Sequence, residues 1–288
     1  MKQLNLFIEL IRIKKPIGYM LLFWPCAWGL TLAYDFSNNL KLYLFYLMLF
    51  FFGAVLMRSA GCIVNDIFDR KFDAKVSRTK NRPIASGKVS VITAIIYSVV
   101  LCLLALTVLL NFNKFTILIA LGSMPLAFSY PLMKRFTYWP QLFLGVTFNY
   151  GIILGWTSIN SSVGILPALI YLGAIFWTLG YDTIYGFQDL KDDEIIGVKS
   201  TSIMFKKNPY RFLYFCYFIF ILSLVLLGII SNMNFFYYFF LLLIIFQMFY
   251  FQIKQLNIYD NQSCLKIFKS NNYLGLIIFF TFIIGKIN

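Results

Sequence analysis

Apolar runs of about 18 or more residues recur along almost the whole chain, and a run of that length crosses the hydrocarbon core of a bilayer as a helix. An open segment in hydrocarbon has no other way to satisfy its backbone groups, so the expected fold is all-α and polytopic. Composition agrees. Of 288 residues, 60% are hydrophobic and only 12% charged. That is too little polar surface to coat a water-soluble domain, where roughly a quarter of residues are charged.

The hydropathy pattern predicts nine spans, at 17–34, 42–63, 89–110, 115–132, 139–158, 163–185, 211–230, 235–252 and 271–287. No polar stretch is long enough for a second domain, so residues 1–288 are read as a single domain. Residues 4–15 are too mixed for a cleavable signal peptide and lack a small-residue cleavage site. With the N-terminus inside, short inner loops receive 21 of the 25 Lys and Arg residues. Only Lys41, Lys114 and Lys286 fall outside, and Arg58 lies within the second span. Nine spans then put the C-terminus on the opposite side. The net charge of +14 therefore reflects loop sorting, not a nucleic-acid surface.

The five cysteines, Cys26, Cys62, Cys102, Cys216 and Cys264, have no paired spacing and read as small apolar residues. The absence of histidine removes His-based acid–base catalysis, His metal ligation and His-ligated heme.

Acidic residues carry the sharpest signal. Eight of eleven fall in two clusters on the inner side. Asp66, Asp69 and Asp73 follow span two; Asp182, Asp189, Asp192, Asp193 and Glu194 end or follow span six. The clusters occupy equivalent positions four spans apart, a weak sign of internal duplication. If span two continues as a helix, Asn65, Asp69 and Asp73 recur at i, i+4 and i+8, and Asp66 shares their stripe. Like charges at that spacing repel unless a cation lies between them. Magnesium suits such a set, because it takes oxygen ligands from a few carboxylates and completes its shell with water and substrate phosphates. Asp182, Asp189 and Asp193 repeat the pattern at i, i+7 and i+11. A solvated acidic loop accounts for Asp192 and Glu194, but not for Asp182 beside an apolar span.

Cations interleave with these acids. Arg78 and Arg82 follow the first cluster, and Lys134 and Arg135 end span four. Arg and Lys suit phosphate oxygens, though loop sorting alone would also put them here. Arg58 is different, because a charge inside a span costs at least a few kcal/mol. It shares the acidic stripe at i, i+7 from Asn65 and i, i+11 from Asp69. Its position fits either a counter-ion for Asp69 or a clamp for a substrate carboxylate.

These residues resemble the UbiA family of intramembrane prenyltransferases, in its 4-hydroxybenzoate polyprenyltransferase branch. The first family motif reads Asn65-Asp66-x-x-Asp69-x-x-x-Asp73, then Val76-x-Arg78-Thr79-x-x-Arg82-Pro83-x-x-x-Gly87. The second reads Tyr181-Asp182-Thr183-x-Tyr185-x-x-x-Asp189-x-x-Asp192-Asp193. Tyr130-Pro131-x-x-Lys134-Arg135, Pro140-Gln141, Lys15-Pro16-Ile17-Gly18 and Met57-Arg58-x-x-Gly61-Cys62 are similar to the branch's signatures. Gly186 departs from the family's common Ala.

The resemblance implies nine helices around a central lipid-open cavity with the aspartate motifs at its cytoplasmic end. Carried over residue by residue, Asn65, Asp69, Asp73, Asp189 and Asp193 would hold Mg2+, with Asp66 and Asp182 supporting them. Arg78, Arg82, Tyr130 and Lys134 would contact the diphosphate, and Arg58 would receive the aromatic carboxylate. The implied enzyme is an Mg-dependent transferase of ubiquinone biosynthesis in a bacterial inner membrane. It would join polyprenyl diphosphate to 4-hydroxybenzoate amid membrane lipid, with no obligate protein partner evident. The proton acceptor is open between pyrophosphate and an aspartate. A cation transporter would instead place acids near the bilayer midplane in broken helices. Sister enzymes acting on heme, a naphthoate or a chlorin are the nearer alternatives.

Overall fold

The computed structural model describes residues 2–76 and 79–287, and its regular structure there is helical throughout. A short helix α1, Lys2–Leu10, precedes α2, Ile17–Ala33, and α3, Leu40–Asp73. There follow α4, Val91–Leu109; α5, Lys114–Phe136; α6, Pro140–Asn160; and α7, Ile165–Ile196. Then come α8, Pro209–Ile230; α9, Phe235–Lys254; and α10, Asn261–Lys286. Side-chain caps fix several starts. Asn39, Ser90, Asn113, Asn234 and Asp260 each accept a bond from a backbone N–H in the first turn of α3, α4, α5, α9 and α10.

Among the described residues, eight helices, α3 to α10, are long and apolar enough to cross a membrane. The expected ninth, at 17–34, forms as α2 but is shorter, at 17 residues. Pro16 precedes it and extended Tyr34 ends it. It tolerates that length because protein, not lipid, surrounds it. Leu21 and every residue from Phe23 to Leu32 are buried, and α2 packs against α3, α6 and α10.

Contact between α2 and α6 depends on small residues. A Cβ at Gly29 would sit 2.0 Å from the Ile152 carbonyl oxygen, and one at Gly155 2.2 Å from that of Cys26. Close backbone approach of this kind is how helices associate where burial of apolar surface gives little drive. Polar side chains supply the rest of the adhesion. Trp177 on α7 donates to Asn271 on α10 at 2.8 Å, Gln252 on α9 donates to Asn271 at 3.1 Å, and Tyr217 on α8 donates to Gln252 at 2.6 Å. At the far end, Lys286 Nζ caps α2 by donating to the carbonyls of Thr31, Leu32 and Tyr34 at 3.1, 2.8 and 2.6 Å. Large apolar residues such as Ile92, Leu103, Leu118, Phe235 and Leu242 are exposed on the outer faces. So broad an apolar surface is a lipid contact, and the chain is an integral membrane protein.

Candidate active site

The first aspartate motif lies on unbroken helix. α3 continues past its apolar stretch to Asp73, so Asn65, Asp66, Asp69 and Asp73 share one face as their spacing predicts. That face turns inward. Asp66, Asp69 and Asp73 are 3%, 2% and 7% exposed, whereas Phe68 is 38% exposed. A buried carboxylate is costly unless a cation and hydrogen bonds accompany it. Here each has one. Arg12 Nη2 lies 2.5 Å from Asp66 Oδ1. Arg82 Nη1 bridges Asp66 at 3.1 Å and Asp73 at 2.7 Å. Lys134 Nζ pairs with Asp69 Oδ2. The other Asp69 oxygen, Oδ1, is buried with no hydrogen-bond partner.

These cations come from separate segments. Arg12 follows α1 with φ 53°, a left-handed conformation unusual for a non-glycine residue. Burial would depress its guanidinium pKa, but the Asp66 carboxylate more than offsets this and the group ends above its ordinary value. Arg82 sits in the loop after α3, where Thr79 Oγ1 donates to the Asp73 carbonyl at 3.0 Å. Lys134 and Arg135 lie in the last turn of α5, which a 3₁₀ turn at Tyr130–Leu132 redirects. Arg135 donates to the Phe68 carbonyl at 2.8 Å and covers the Phe72 ring, fastening α5 to α3. Arg78 lies outside the described residues.

The second motif lies on interrupted helix. α7 tightens into a 3₁₀ turn at Phe187–Asp189 and resumes as Leu190–Ile196, carrying Asp193. Asp182, Asp189 and Asp193 are half-buried. A neutral network ties this segment to the chain around Thr201 and to α6. Thr183 Oγ1 and Thr201 Oγ1 are 2.6 Å apart, Ser202 Oγ donates to the Thr183 carbonyl at 2.8 Å, and the Thr201 N–H donates to Gln141 Oε1 at 3.0 Å.

Arg58 sits half-buried between the motifs. Its guanidinium lies 5.4 Å from the centre of the Phe148 ring, within electrostatic reach of Tyr130 and Asp182. A Cβ on Gly18 would come within 2.8 Å of Arg58 Nε, so α2 leaves the guanidinium its room by having no side chain there. Lys134, not Arg58, is the cation on Asp69. The counter-ion role at Asp69 therefore falls to Lys134.

The donor set fits a hard divalent cation. It consists of Asp and Asn oxygens, and Asp69 Oδ1 has an unused lone pair. Among the described residues, no three of the acids or cysteines converge closely enough to hold a metal by themselves. Magnesium shells are usually completed by water and substrate phosphates. The diphosphate ligands expected from sequence, Arg82 and Lys134, here neutralise carboxylates, and Tyr130 lies beside Arg58. Arg12, Gly18 and Phe148 were not singled out as site residues. Only Arg12's position just before Lys15-Pro16-Ile17-Gly18 marks it in the sequence.

Comparison with known proteins gives the family and the fold. The model of the UbiA prenyltransferase family matches residues 22–283. The chain is 40% identical over 287 residues to the mitochondrial 4-hydroxybenzoate polyprenyltransferase of Rattus norvegicus, covering 99% of this chain and 76% of that one. It is 41% identical to the Homo sapiens protein of the same name, with the same coverage. It is also 41% identical to the one from Arabidopsis thaliana, covering 97% and 68%. Among solved structures, the apo UbiA homolog from Aeropyrum pernix K1 aligns with TM-score 0.72 at 19% identity, covering 93% of this chain and 98% of that one. The Archaeoglobus fulgidus homolog bound to GPP and Mg2+ aligns with TM-score 0.71 at 18% identity, covering 96% and 99%. These two likenesses concern the fold. The relatives and the family match together make the chain a member of the UbiA prenyltransferase family.

Proposed function

We propose that the protein transfers a polyprenyl group from polyprenyl diphosphate to the carbon ortho to the hydroxyl of 4-hydroxybenzoate, releasing diphosphate, as a step toward ubiquinone. One observation carries this reading. Three aspartates of a membrane helix are buried, each beside a cation from another segment, with Arg58 left to face an aromatic ring. The identity of 39–42% to relatives named 4-hydroxybenzoate polyprenyltransferase supports the choice of acceptor.

Asn65, Asp69, Asp73, Asp189 and Asp193 would hold Mg2+, with Asp66 and Asp182 supporting them. When bound, the metal neutralises the phosphate oxygens and so eases departure of the diphosphate. Arg82 and Lys134 stand at the carboxylates and can turn to phosphate oxygens as these arrive, joined by Arg78 and Tyr130. Arg58 takes the carboxylate of the aromatic acid as a planar, two-pronged donor, with Phe148 beside it. The acceptor is thereby oriented by the end opposite its hydroxyl. The allylic carbon–oxygen bond breaks with its electron pair leaving on diphosphate. The ring carbon ortho to the hydroxyl forms the new carbon–carbon bond and then loses its proton, to diphosphate or to an aspartate. Apolar walls keep water from the electron-poor carbon.

We place the N-terminus and the aspartate motifs on the cytoplasmic face of a bacterial inner membrane, because basic loops gather on that side. The deciding experiment supplies membranes containing the protein with labelled 4-hydroxybenzoate and a polyprenyl diphosphate, with magnesium or with EDTA. Magnesium-dependent 3-polyprenyl-4-hydroxybenzoate is the expected product. Intact, inserted protein that makes none would redirect the reading to other acceptors, a naphthoate first.

A further inference from the structure

A groove of about 650 Å3 opens between α9 and α10, apart from the aspartate motifs. Three features give it a chemical character. Its apolar side is aromatic, with Phe246, Phe251 and Tyr273 along it, and Phe246 and Tyr273 are 59% and 68% exposed. Its rim carries Lys266 and Lys269, one turn apart on α10 and both exposed. No carboxylate lines it. The polar side chains at its base are already engaged with one another. Gln247 donates to Ser270 at 3.1 Å and accepts from Gln252 at 2.9 Å. Unspent charge therefore sits only on the two lysines, of which Lys266 lies 5.7 Å from the centre of the Phe251 ring.

The backbone is built to open this groove. Phe246–Lys254 is a π-helix, a wide and uncommon coil that recurs at functional sites. Depth in the membrane follows from Phe268, which lies between the two lysines in sequence and packs on Tyr185 at 4.4 Å. The lysines are thus level with the second aspartate motif, at the membrane edge where lipid phosphates lie. Below them the aromatic wall faces the acyl region.

We propose that this groove is a binding site for an anionic phospholipid, with its phosphate on Lys266 and Lys269 and an acyl chain along Phe246 and Tyr273. Charge complementarity selects the occupant. Two ammonium groups attract a net-negative head, and with no lining carboxylate to offset them they repel the cation of a choline or ethanolamine head. The site stands independently of the reaction proposed above.

Native mass spectrometry of the full-length protein tests it, with phosphatidylglycerol and phosphatidylcholine added in equal amounts. Wild type should retain phosphatidylglycerol preferentially. A lysine near an anionic lipid surface contributes about fivefold in affinity, so K266Q/K269Q should lower that retention by roughly 25-fold and leave phosphatidylcholine unchanged. K266R/K269R should restore it. Lys206 and Lys207 provide the control, as two lysines elsewhere in the inner loops. If K206Q/K207Q weakens retention as much as the groove variant does, diffuse surface charge is the cause and the site is refuted. Equal retention of the two lipids by wild type refutes it as well.

Discussion

The two aspartate motifs share a spacing but not a way of being held. On α3 the carboxylates are buried on continuous helix, and every one is neutralised by a cation from outside that helix. On α7 the carboxylates are half-buried on helix that changes pitch at Phe187–Asp189, and hydroxyls and one amide fasten the neighbouring chain. The first motif is therefore an electrostatic unit already assembled before any substrate arrives. The second carries its carboxylates on half-buried helix that changes pitch between Asp182 and Asp193.

The largest expected effect tests whether both motifs serve one site. Asp69→Asn and Asp189→Asn should each reduce transfer by at least two orders of magnitude, as removal of a key electrostatic group does, with membrane insertion intact. Near-normal turnover by either variant would separate the motifs functionally. Stability should then divide them. Asp66→Asn leaves Arg12 and part of Arg82 uncompensated and should cost roughly 3 kcal/mol, the lower end for breaking a buried pair. Asp193→Asn, at a half-exposed position, should cost less than about 1 kcal/mol. Thermal midpoints in detergent measure both, and equal shifts would dissolve the distinction.

A smaller effect concerns the acceptor end. Arg58→Ala should raise the KM for the aromatic acid while sparing the KM for the prenyl diphosphate. Gly18→Ala should do the same more mildly, roughly tenfold or about 1.4 kcal/mol, because its methyl group displaces the guanidinium it now accommodates. Steady-state kinetics with each substrate varied in turn would decide. A defect confined to the prenyl diphosphate would remove Arg58 from the acceptor.

Much of this was legible in the sequence, and the exceptions have a common cause. Apolar run length is a local property, so the eight long spans and the shorter α2 were placed from it. Helical spacing is also local, and it put Asn65, Asp66, Asp69 and Asp73 on one face. What escaped depends on partners far along the chain. Arg12 looks no different from Lys14 and Lys15 until folding sets it against Asp66, 54 positions later. Gly18 acquires its role from Arg58, and α2 is shorter than its expected span because neighbouring helices enclose it. The last helix begins at Asn261, ten residues before the expected span, because its first turns are polar and lie outside the apolar run. The π-helix at Phe246–Lys254 follows an ordinary apolar stretch with no proline or glycine to mark it.

Gly186 gives the finest test of how the second motif is held. A Cβ there would lie 2.3 Å from Ser202 Oγ, and that hydroxyl is fixed by its bond to the Thr183 carbonyl. Replacing a helical glycine by alanine ordinarily stabilises by up to about 1 kcal/mol. Here the methyl group must displace an engaged hydroxyl, and overpacking of this kind costs about 1–3 kcal/mol. Gly186→Ala alone should therefore be mildly destabilising. Ser202→Ala alone should lose about 1 kcal/mol with its hydrogen bond. The double variant removes the obstructing oxygen and leaves the Ser202 Cβ at 3.2 Å, a contact the chain can ease by a few tenths of an ångström. The two substitutions should then offset each other, with a favourable coupling of about 1 kcal/mol in a double-mutant cycle. Additive losses would mean that Ser202 does not brace the second motif at this glycine, and the neutral network would no longer explain how α7 keeps its aspartates in place.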